Sequence, residues 1–302
     1  MRILLTAALL AATSLPVSAQ NWKDDYRIVR IGITSSENEA DRMKRYEPWK
    51  AYMEKTLGVE VELFTAGSYD GIIQALAADQ IEVASVGSSA YAAAYTETNG
   101  GVVPLLASQE MSGATGYYSV IITRCDGPYK KIEDLKGKAV AFADPDSTSG
   151  YAVPFYNLVQ QGFNPNEYFG SVTFSGSHEA GVQGVVAGSF DAAATYISDI
   201  DGKDGVPVRM VNKGMIKDGE VCKIWTSPEI TNGPITVRAN LPQDLVAAIK
   251  DAYMKAPEAD PVAFQSISGG DTSNKKGYVE VNHERYQWII EMRDWLKKQR
   301  RS

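Results

Sequence analysis

Two segments of the chain place hydroxyl groups directly before a predicted helix, and this pattern can bind an anion. Residues 144–150 read DPDSTSG, residues 175–179 read SGSHE, and each segment follows a predicted strand. Serine and threonine cap helix starts, where backbone N–H groups without a helical partner point outward. The helix end adds a partial charge of about +0.5. Together these groups form an anion cradle. The candidate ligands are Ser147, Thr148, Ser149 and His178.

A plainer interpretation gives the same residues a purely structural role. A helix needs only one capping hydroxyl group, and an isolated histidine is more often structural than functional. We favour a binding site because two such segments converge. Ligands of open α/β sheets bind at loops that leave the carboxyl ends of the strands. Tyr69 and Tyr117 lie on loops of the other half of the chain that should face the same cleft.

The elements that must position these residues alternate between strand and helix in two series. The first series runs from a strand at 28–34 to a strand at 102–107, and the second lies between β-branched runs at 118–123 and 221–226. Repeated βα units predict mainly parallel sheets covered by helices. Three local expectations are Pro48 in the first turn of a helix, a short strand at 206–211 and one amphipathic helix at 282–300.

The two series predict two α/β lobes, with the second inserted into the first. Lobe 1 comprises residues 20–118 and 227–302, and lobe 2 comprises residues 119–226. The runs at 118–123 and 221–226 cross between the lobes in opposite directions. We therefore expect them to pair as antiparallel strands and to form a hinge.

Residues 1–19 have the pattern of a secretory signal peptide. Arg2 precedes a short apolar core, and Val17-Ser18-Ala19 supplies small residues for cleavage. No window of the chain has the run of about 20 apolar residues that a spanning helix needs. Export to the bacterial periplasm is therefore expected, without membrane insertion. In an oxidising compartment Cys125 and Cys222 would form a disulfide, and two unpaired thiols are the alternative.

Composition excludes several other classes of function. The formal net charge of −7 argues against nucleic acid as a partner. Two histidines and two cysteines are too few for most metal sites, and we expect no metal and no cofactor. A hydrolase built on Ser147 or Ser149, His178 and Asp199 is the alternative of another class. The segment DSTSG lacks the G-x-S-x-G pattern of a nucleophile elbow, which disfavours catalysis.

The chain resembles the periplasmic phosphonate-binding components of ABC importers, a group that includes phosphite binders. The resemblance covers most of the chain after residue 30, and its most specific motifs are Y-D-G-I-I-Q at 69–74, DPDSTSG at 144–150, S-H-E at 177–179 and W-T-S-P at 225–228. It implies a type II-like, two-lobed periplasmic binding protein whose lobes are mainly parallel sheets flanked by helices, joined by a two-strand hinge.

The resemblance also implies roles for individual residues. Ser147, Thr148, Ser149 and His178 would hold the PO₃ group, and Tyr69 and Tyr117 would contact it from the other lobe. In relatives that bind 2-aminoethylphosphonate, a carboxylate after the DAAAT-like strand meets the ligand amine. Here Ser198 has that position, so Asp199 or Asp201 would take the role. Gly233 stands where those relatives have a second Asp.

The function implied is delivery of a small phosphonate anion to a membrane permease by closure of the cleft, without catalysis. We favour 2-aminoethylphosphonate as the ligand, with phosphite or methylphosphonate as alternatives. One copy for each transporter needs no self-association, so we expect a monomer.

Overall fold

The computed structural model describes residues 21–34, 37–270 and 272–299, and it contains two mixed β-sheets. The predicted signal peptide lies outside the described residues. In chain order the strands are β1 Ile28–Ile33, β2 Glu60–Thr65, β3 Val83–Ser85, β4 Val102–Glu110, β5 Gly116–Arg124, β6 Ala139–Phe142, β7 Ser171–Phe174, β8 Ala192–Ile197, β9 Val221–Thr226, β10 Ile230–Thr231, β11 Pro234–Arg238 and β12 Lys275–Glu280.

The first sheet has the order β12-β4-β11-β3-β1-β2, and the second has β10-β5-β8-β6-β7 with β9 also paired to β5. We call the parts built on these sheets the first and second lobes. The strands β2, β1 and β3 are parallel, as are β7, β6 and β8. All pairings of β4, β5 and β11 are antiparallel. The two-lobed α/β fold is confirmed, with sheets that are mixed rather than mainly parallel.

Helices cover both sheets, as the alternation of strand and helix predicts. They are α1 Trp22–Asp25, α2 Glu39–Leu57, α3 Tyr69–Ala77, α4 Ser88–Glu97, α5 Val153–Gln160, α6 Pro165–Tyr168, α7 His178–Val186, α8 Val206–Asn212, α9 Gln243–Ala259, α10 Pro261–Ile267 and α11 Gln287–Gln299. Short 3₁₀ turns span Ile132–Leu135 and His283–Tyr286, and a π-helical turn spans Thr148–Ala152. None of the described helices combines the length and the apolar character that crossing a membrane requires.

The structure corrects three of the local expectations. The segment predicted as a strand at 206–211 is helix α8, because Val206 and Met210, one turn apart, are the residues it buries. Helix α2 begins at Glu39, capped by Asn38, so Pro48 lies inside the helix and not in its first turn. The predicted helix at 282–300 is a 3₁₀ turn followed by α11.

The predicted hinge strands pair with each other as expected. β5 and β9 are antiparallel, and Thr123 lies opposite Cys222. Both strands belong to the second sheet over their whole length, because β5 also pairs with β8. The chain crosses between the sheets at 111–115 and 232–233, where the Asn232 N–H donates to the Thr115 carbonyl at 2.9 Å. The second sheet therefore reaches from Gly116 to Thr231.

The disulfide between Cys125 and Cys222 is confirmed. Its Cα atoms are 4.9 Å apart, and 97 positions separate the two cysteines along the chain. Cys125 directly follows the last residue of β5, and Cys222 lies within β9. The bond therefore ties the two ends of the inserted segment together.

One hydrophobic core is shared by both lobes. It contains Ile72 and Tyr91 of the first lobe and Phe142 of the second, together with Ile289 and Leu296 of α11. Helix α11 contacts both α4 and the π-helical turn. The C-terminal helix therefore packs its apolar residues against both lobes.

Candidate functional site

A cleft of about 270 Å³ lies between the lobes, and residues from both of them line it. Six of the seven predicted site residues are among its lining residues: Tyr69, Tyr117, Ser147, Thr148, Ser149 and His178.

The serine–threonine–serine segment is held by the π-helical turn that it starts. Ser147 is the N-cap, and its Oγ accepts the Gly150 N–H at 3.0 Å. The Thr148 Oγ1 accepts the Ser89 N–H of the first lobe at 2.8 Å. All three hydroxyl-bearing side chains are buried. Gly150 permits this packing, because a Cβ there would lie 2.5 Å from the Ala143 Cβ.

His178 is the first residue of α7, and Ser177 caps that helix. The His178 Nε2 lies 3.3 Å from the Ser147 Oγ, and its Nδ1 lies 3.2 Å from the Thr195 Oγ1. Burial lowers the pKa of His178 to about 4, so the imidazole is neutral at neutral pH. If the Thr195 hydroxyl group donates to Nδ1, then Nε2 carries the proton and donates toward the Ser147 Oγ.

Two tyrosines add hydroxyl donors on the same cleft. Tyr69 begins α3, and its backbone N–H donates across the lobes to the Asp144 Oδ2 at 3.3 Å. The Tyr69 hydroxyl group interacts with Ser147, and the Tyr117 hydroxyl group interacts with Ser149. Burial raises the pKa of Tyr69 and raises that of Tyr117 to about 12. Both phenols therefore stay protonated and can donate hydrogen bonds.

This end of the cleft offers several hydrogen-bond donors, and the six predicted residues that line it carry no formal charge. Hydroxyl groups, a neutral imidazole and a helix start surround one space, and they come from both lobes. Such an arrangement suits an oxyanion, since each ligand oxygen can accept from fixed donors.

The structure does not bring Asp199 to the cleft, which corrects that prediction. Its carboxylate accepts the backbone N–H of Lys203 at 3.2 Å and of Asp204 at 2.9 Å, so it is used within its own loop. Asp201 points its carboxylate to the exposed Lys203 Nζ at 3.1 Å. Ser198, the residue before Asp199, lines the cleft instead.

Sequence reasoning missed a charged part of the cleft. Its lining residues there are Arg45, Glu110, Arg209 and Lys275. Lys275 Nζ lies 2.5 Å from a Glu110 oxygen and 3.6 Å from Asp204, which also binds Arg209 at 3.1 Å. The sequence offers little reason to consider Glu110, because the strand predicted at 102–107 ends before it. In the structure this strand continues to Glu110.

Gly233 lies at the second crossing between the lobes and leaves no room for a side chain. A Cβ at this position would be 2.0 Å from the Val86 carbonyl oxygen. A carboxylate at position 233 is therefore incompatible with this backbone. The second Asp that the resemblance places at this position is absent from this chain.

The Ser147–His178 pair does not form a catalytic triad. The group on the far side of the imidazole is the Thr195 hydroxyl and not a carboxylate, and Asp199 is held in its own loop. A histidine whose pKa is about 4 is a weak general base at neutral pH.

Comparisons with known proteins agree with this geometry. The family described as "ABC transporter, phosphonate, periplasmic substrate-binding protein" matches residues 31–286. The chain is 29% identical to the phosphonates-binding periplasmic protein of Escherichia coli over 82% of this chain and 72% of that protein. It is 26% identical to the phosphate-import protein PhnD of Mycolicibacterium smegmatis, over 78% of this chain and 74% of that protein.

Two solved structures have the same fold. The binding component of an ABC phosphonate transporter from Pseudomonas aeruginosa has a TM-score of 0.77 at 25% identity, covering 90% of this chain and 87% of that one. PhnD1 from Prochlorococcus marinus, solved with methylphosphonate, has a TM-score of 0.74 at 19% identity, covering 90% and 99%. With the family match over residues 31–286, these findings show that the chain belongs to the periplasmic substrate-binding proteins of phosphonate ABC transporters, which are binding proteins and not enzymes.

Proposed function

We propose that the cleft binds the PO₃ group of a phosphonate and that the closed protein delivers it to the permease of an ABC importer. The observation that supports this most is the set of hydroxyl and imidazole groups from both lobes around one space. The proposed ligands of the PO₃ oxygens are Ser147, Thr148, Ser149, His178, Tyr69 and Tyr117.

Contacts from both lobes would couple binding to closure. A ligand shifts an open–closed equilibrium only as far as its contacts differ between the two states. Tyr69 starts α3 of the first lobe, whereas the serine segment and His178 belong to the second lobe. Tyr117 also lies in the second lobe, within β5, and not in the first lobe as predicted. A bound oxyanion would use both sets only when the lobes are together.

The extent of the cleft leaves room for a substituent on phosphorus. Its lining residues continue from the donor end to Arg45, Arg209 and Lys275, beyond the residues that would hold one PO₃ group. A phosphonate would direct its organic substituent into the remaining space. A fourth oxygen in that direction would need its own partner, and this need could discriminate against phosphate.

We favour 2-aminoethylphosphonate among the phosphonates, and methylphosphonate and phosphite are the competing ligands. The charged residues beyond the donor end suit a polar substituent better than a methyl group or hydrogen. We also propose that residues 1–19 direct export and are then removed, and that the protein acts as a monomer.

Calorimetric titration with 2-aminoethylphosphonate, methylphosphonate, phosphite and phosphate tests this proposal. Ser149→Ala should lower the affinity for every bound phosphonate about tenfold to a hundredfold, since a hydrogen bond to a charged group contributes about 1.5–3 kcal/mol. Ser149 is the best choice of the three because Ser147 also caps the π-helical turn and Thr148 accepts from Ser89.

Ser171→Ala is the matched control, since Ser171 is exposed at the start of β7. It should leave every affinity unchanged. Equal affinities for wild type and Ser149→Ala would remove the serine segment from the site, and no binding of any phosphorus oxyanion by the wild type would refute the function.

A further inference from the structure

We propose that Thr195 is a positioning residue of the binding site: its hydroxyl group fixes the proton of His178 on Nε2, so that both His178 and Ser147 present donors to the ligand. This inference rests on the proposed function, because it assigns PO₃ oxygens to His178 and Ser147. It extends the site to a residue that does not itself line the cleft and that the sequence pattern did not single out.

The two nitrogens of the His178 ring have different partners. Nδ1 lies 3.2 Å from the Thr195 Oγ1, and Nε2 lies 3.3 Å from the Ser147 Oγ. The ring also packs edge-on against Tyr196, with centroids 5.1 Å apart, and a Cβ at Gly150 would lie 2.9 Å from its Cε1. Because burial lowers the pKa of His178 to about 4, the ring carries one proton at neutral pH, and one nitrogen donates while the other accepts.

The Thr195 hydroxyl group decides which nitrogen accepts. Thr195 lies in β8, opposite Val120 of β5, and it is fully buried. Within the part of the chain that the structure describes, Nδ1 of His178 is the only hydrogen-bond partner of the Thr195 Oγ1. If Nδ1 carried the proton, Oγ1 would accept it, and the buried hydroxyl proton of Thr195 would have no acceptor. A buried donor without an acceptor is costly, so the hydroxyl group donates and Nδ1 accepts.

The same tautomer determines what Ser147 can do. A serine hydroxyl group has two lone pairs and one proton. The Ser147 Oγ accepts the Gly150 N–H at 3.0 Å, and the Nε2–H of His178 takes the second lone pair. The proton of Ser147 therefore remains for donation, either to the neighbouring Tyr69 hydroxyl group or to a ligand oxygen. In the opposite tautomer Ser147 would give that proton to Nε2, and the cleft would lose a donor.

The hydrogen bonds thus run in one direction, from the buried strand toward the cleft. Thr195 donates to His178, His178 donates to Ser147, and Ser147 donates outward. Each bond polarises the next and strengthens the last donor of the series. A PO₃ oxygen accepts from either Nε2–H or the Ser147 hydroxyl group, whereas a lone pair on Nε2 would repel it. Thr195 therefore acts on the ligand through two other side chains.

Heteronuclear NMR of the unliganded wild type, with isotope-labelled histidine, tests the tautomer without any ligand. The chain contains two histidines, and His283→Gln identifies which signals belong to His178. Nitrogen chemical shifts distinguish a protonated ring nitrogen from an unprotonated one, and we expect the proton on Nε2 of His178. A proton on Nδ1 would overturn the proposal, whatever the protein binds.

Thr195→Val keeps the shape of the side chain and removes the hydroxyl group. It should shift the Nδ1 signal of His178, because that nitrogen loses its donor. It should also lower the affinities for 2-aminoethylphosphonate and methylphosphonate alike, about threefold to tenfold, since both present the same PO₃ group. Thr195→Ser retains a hydroxyl group and should keep both the signal and the affinities of the wild type. Thr173→Val makes the same change at an exposed position of β7 and should alter neither.

The outcomes separate this inference from the proposed function. An unchanged affinity of Thr195→Val would overturn the role of Thr195 while leaving phosphonate binding intact. An equal loss in Thr195→Ser would also overturn it, because the shape of the side chain and not its hydroxyl group would then matter. Failure of the wild type to bind any phosphonate would refute the proposed function itself, and the NMR experiment would still decide the tautomer.

Discussion

His178 can serve as a neutral donor because burial keeps its imidazole uncharged. Burial lowers its pKa to about 4, whereas an unfolded histidine has a pKa of 6.5. The unfolded chain therefore binds an additional proton between these two values. The contribution of His178 to stability is consequently complete above about pH 6.5 and is lost as the pH falls toward 4.

We expect the free energy of unfolding to fall by about 2 kcal/mol from this residue between about pH 7 and pH 5. Urea denaturation across that range measures it, and His178→Gln should reduce the slope. Burial raises the pKa of the Glu37 and Asp204 carboxyl groups, but neighbouring lysine and arginine side chains outweigh it and leave both pKa values lowered. These acids therefore lose their contribution to stability only below about pH 4.5 and do not obscure this window. A variant that kept the full slope would contradict the assignment.

The sequence identified the residues that act through local structure and missed those that act through the fold. Ser147 and His178 could be found because each stands at a helix start after a strand, a pattern visible within a few positions. Asp199 was a wrong choice because its carboxylate binds the backbone of its own loop. The ion pair of Glu110 and Lys275 in the cleft could not be predicted, since 165 positions separate the two residues along the chain.

At the scale of elements, the crossing at 232–233 depends on a glycine. The Gly233 Cβ position lies 2.0 Å from the Val86 carbonyl oxygen and 2.7 Å from the Gly87 Cα. Backbone atoms cannot rotate away as a side chain can, so any larger residue must move the strands that meet here.

Gly233→Ala should therefore lower the free energy of unfolding by about 1–3 kcal/mol, as over-packing does, and should weaken ligand binding with it. Chemical denaturation and calorimetry measure the two effects. Gly67→Ala is the control, because a Cβ at Gly67 meets nothing within 4 Å. A Gly233→Ala protein as stable as the wild type would show that the crossing is not tightly packed.

The alternation of apolar residues predicted most elements but not their roles. Short segments such as 206–212 remain ambiguous, because two or three buried residues fit both the helical repeat of 3.6 residues and the strand repeat of two. The chain crosses between the sheets a few residues from the predicted lobe boundaries, for a different reason. A strand that leaves one sheet and a strand that starts the next look alike in sequence, and only their partners distinguish them.

For the whole molecule, ion pairs hold the lobes in the arrangement seen here. The Arg293 Nη2 lies 2.7 Å from the Asp146 Oδ1, and Nη1 donates to the Ser89 Oγ at 2.8 Å. The Lys213 Nζ lies 2.7 Å from Glu37 and 2.8 Å from Glu179. Each of these lysine or arginine side chains joins residues from both lobes.

Arg293→Met should favour the open form and lower ligand affinity about fivefold, as loss of about 1 kcal/mol from the closed state would. Small-angle scattering of the unliganded protein should show a larger radius of gyration, and calorimetry gives the affinity. Lys255→Met is the control, because its partner Asp251 lies on the same exposed face of α9. Unchanged scattering and affinity for Arg293→Met would mean that apolar packing alone holds the lobes.

The strand order has a consequence for the newly made chain. Every strand of the second sheet lies within residues 116–231, whereas β11, which joins β3 to β4, begins only at Pro234. Because synthesis proceeds from the N-terminus, the second lobe can be completed while the first still presents open edges. Open edges of this kind recruit other strands. Between synthesis of residue 110 and residue 234, β3 and β4 therefore lack the strand that joins them in the finished sheet, and we expect misassembly to start at these edges.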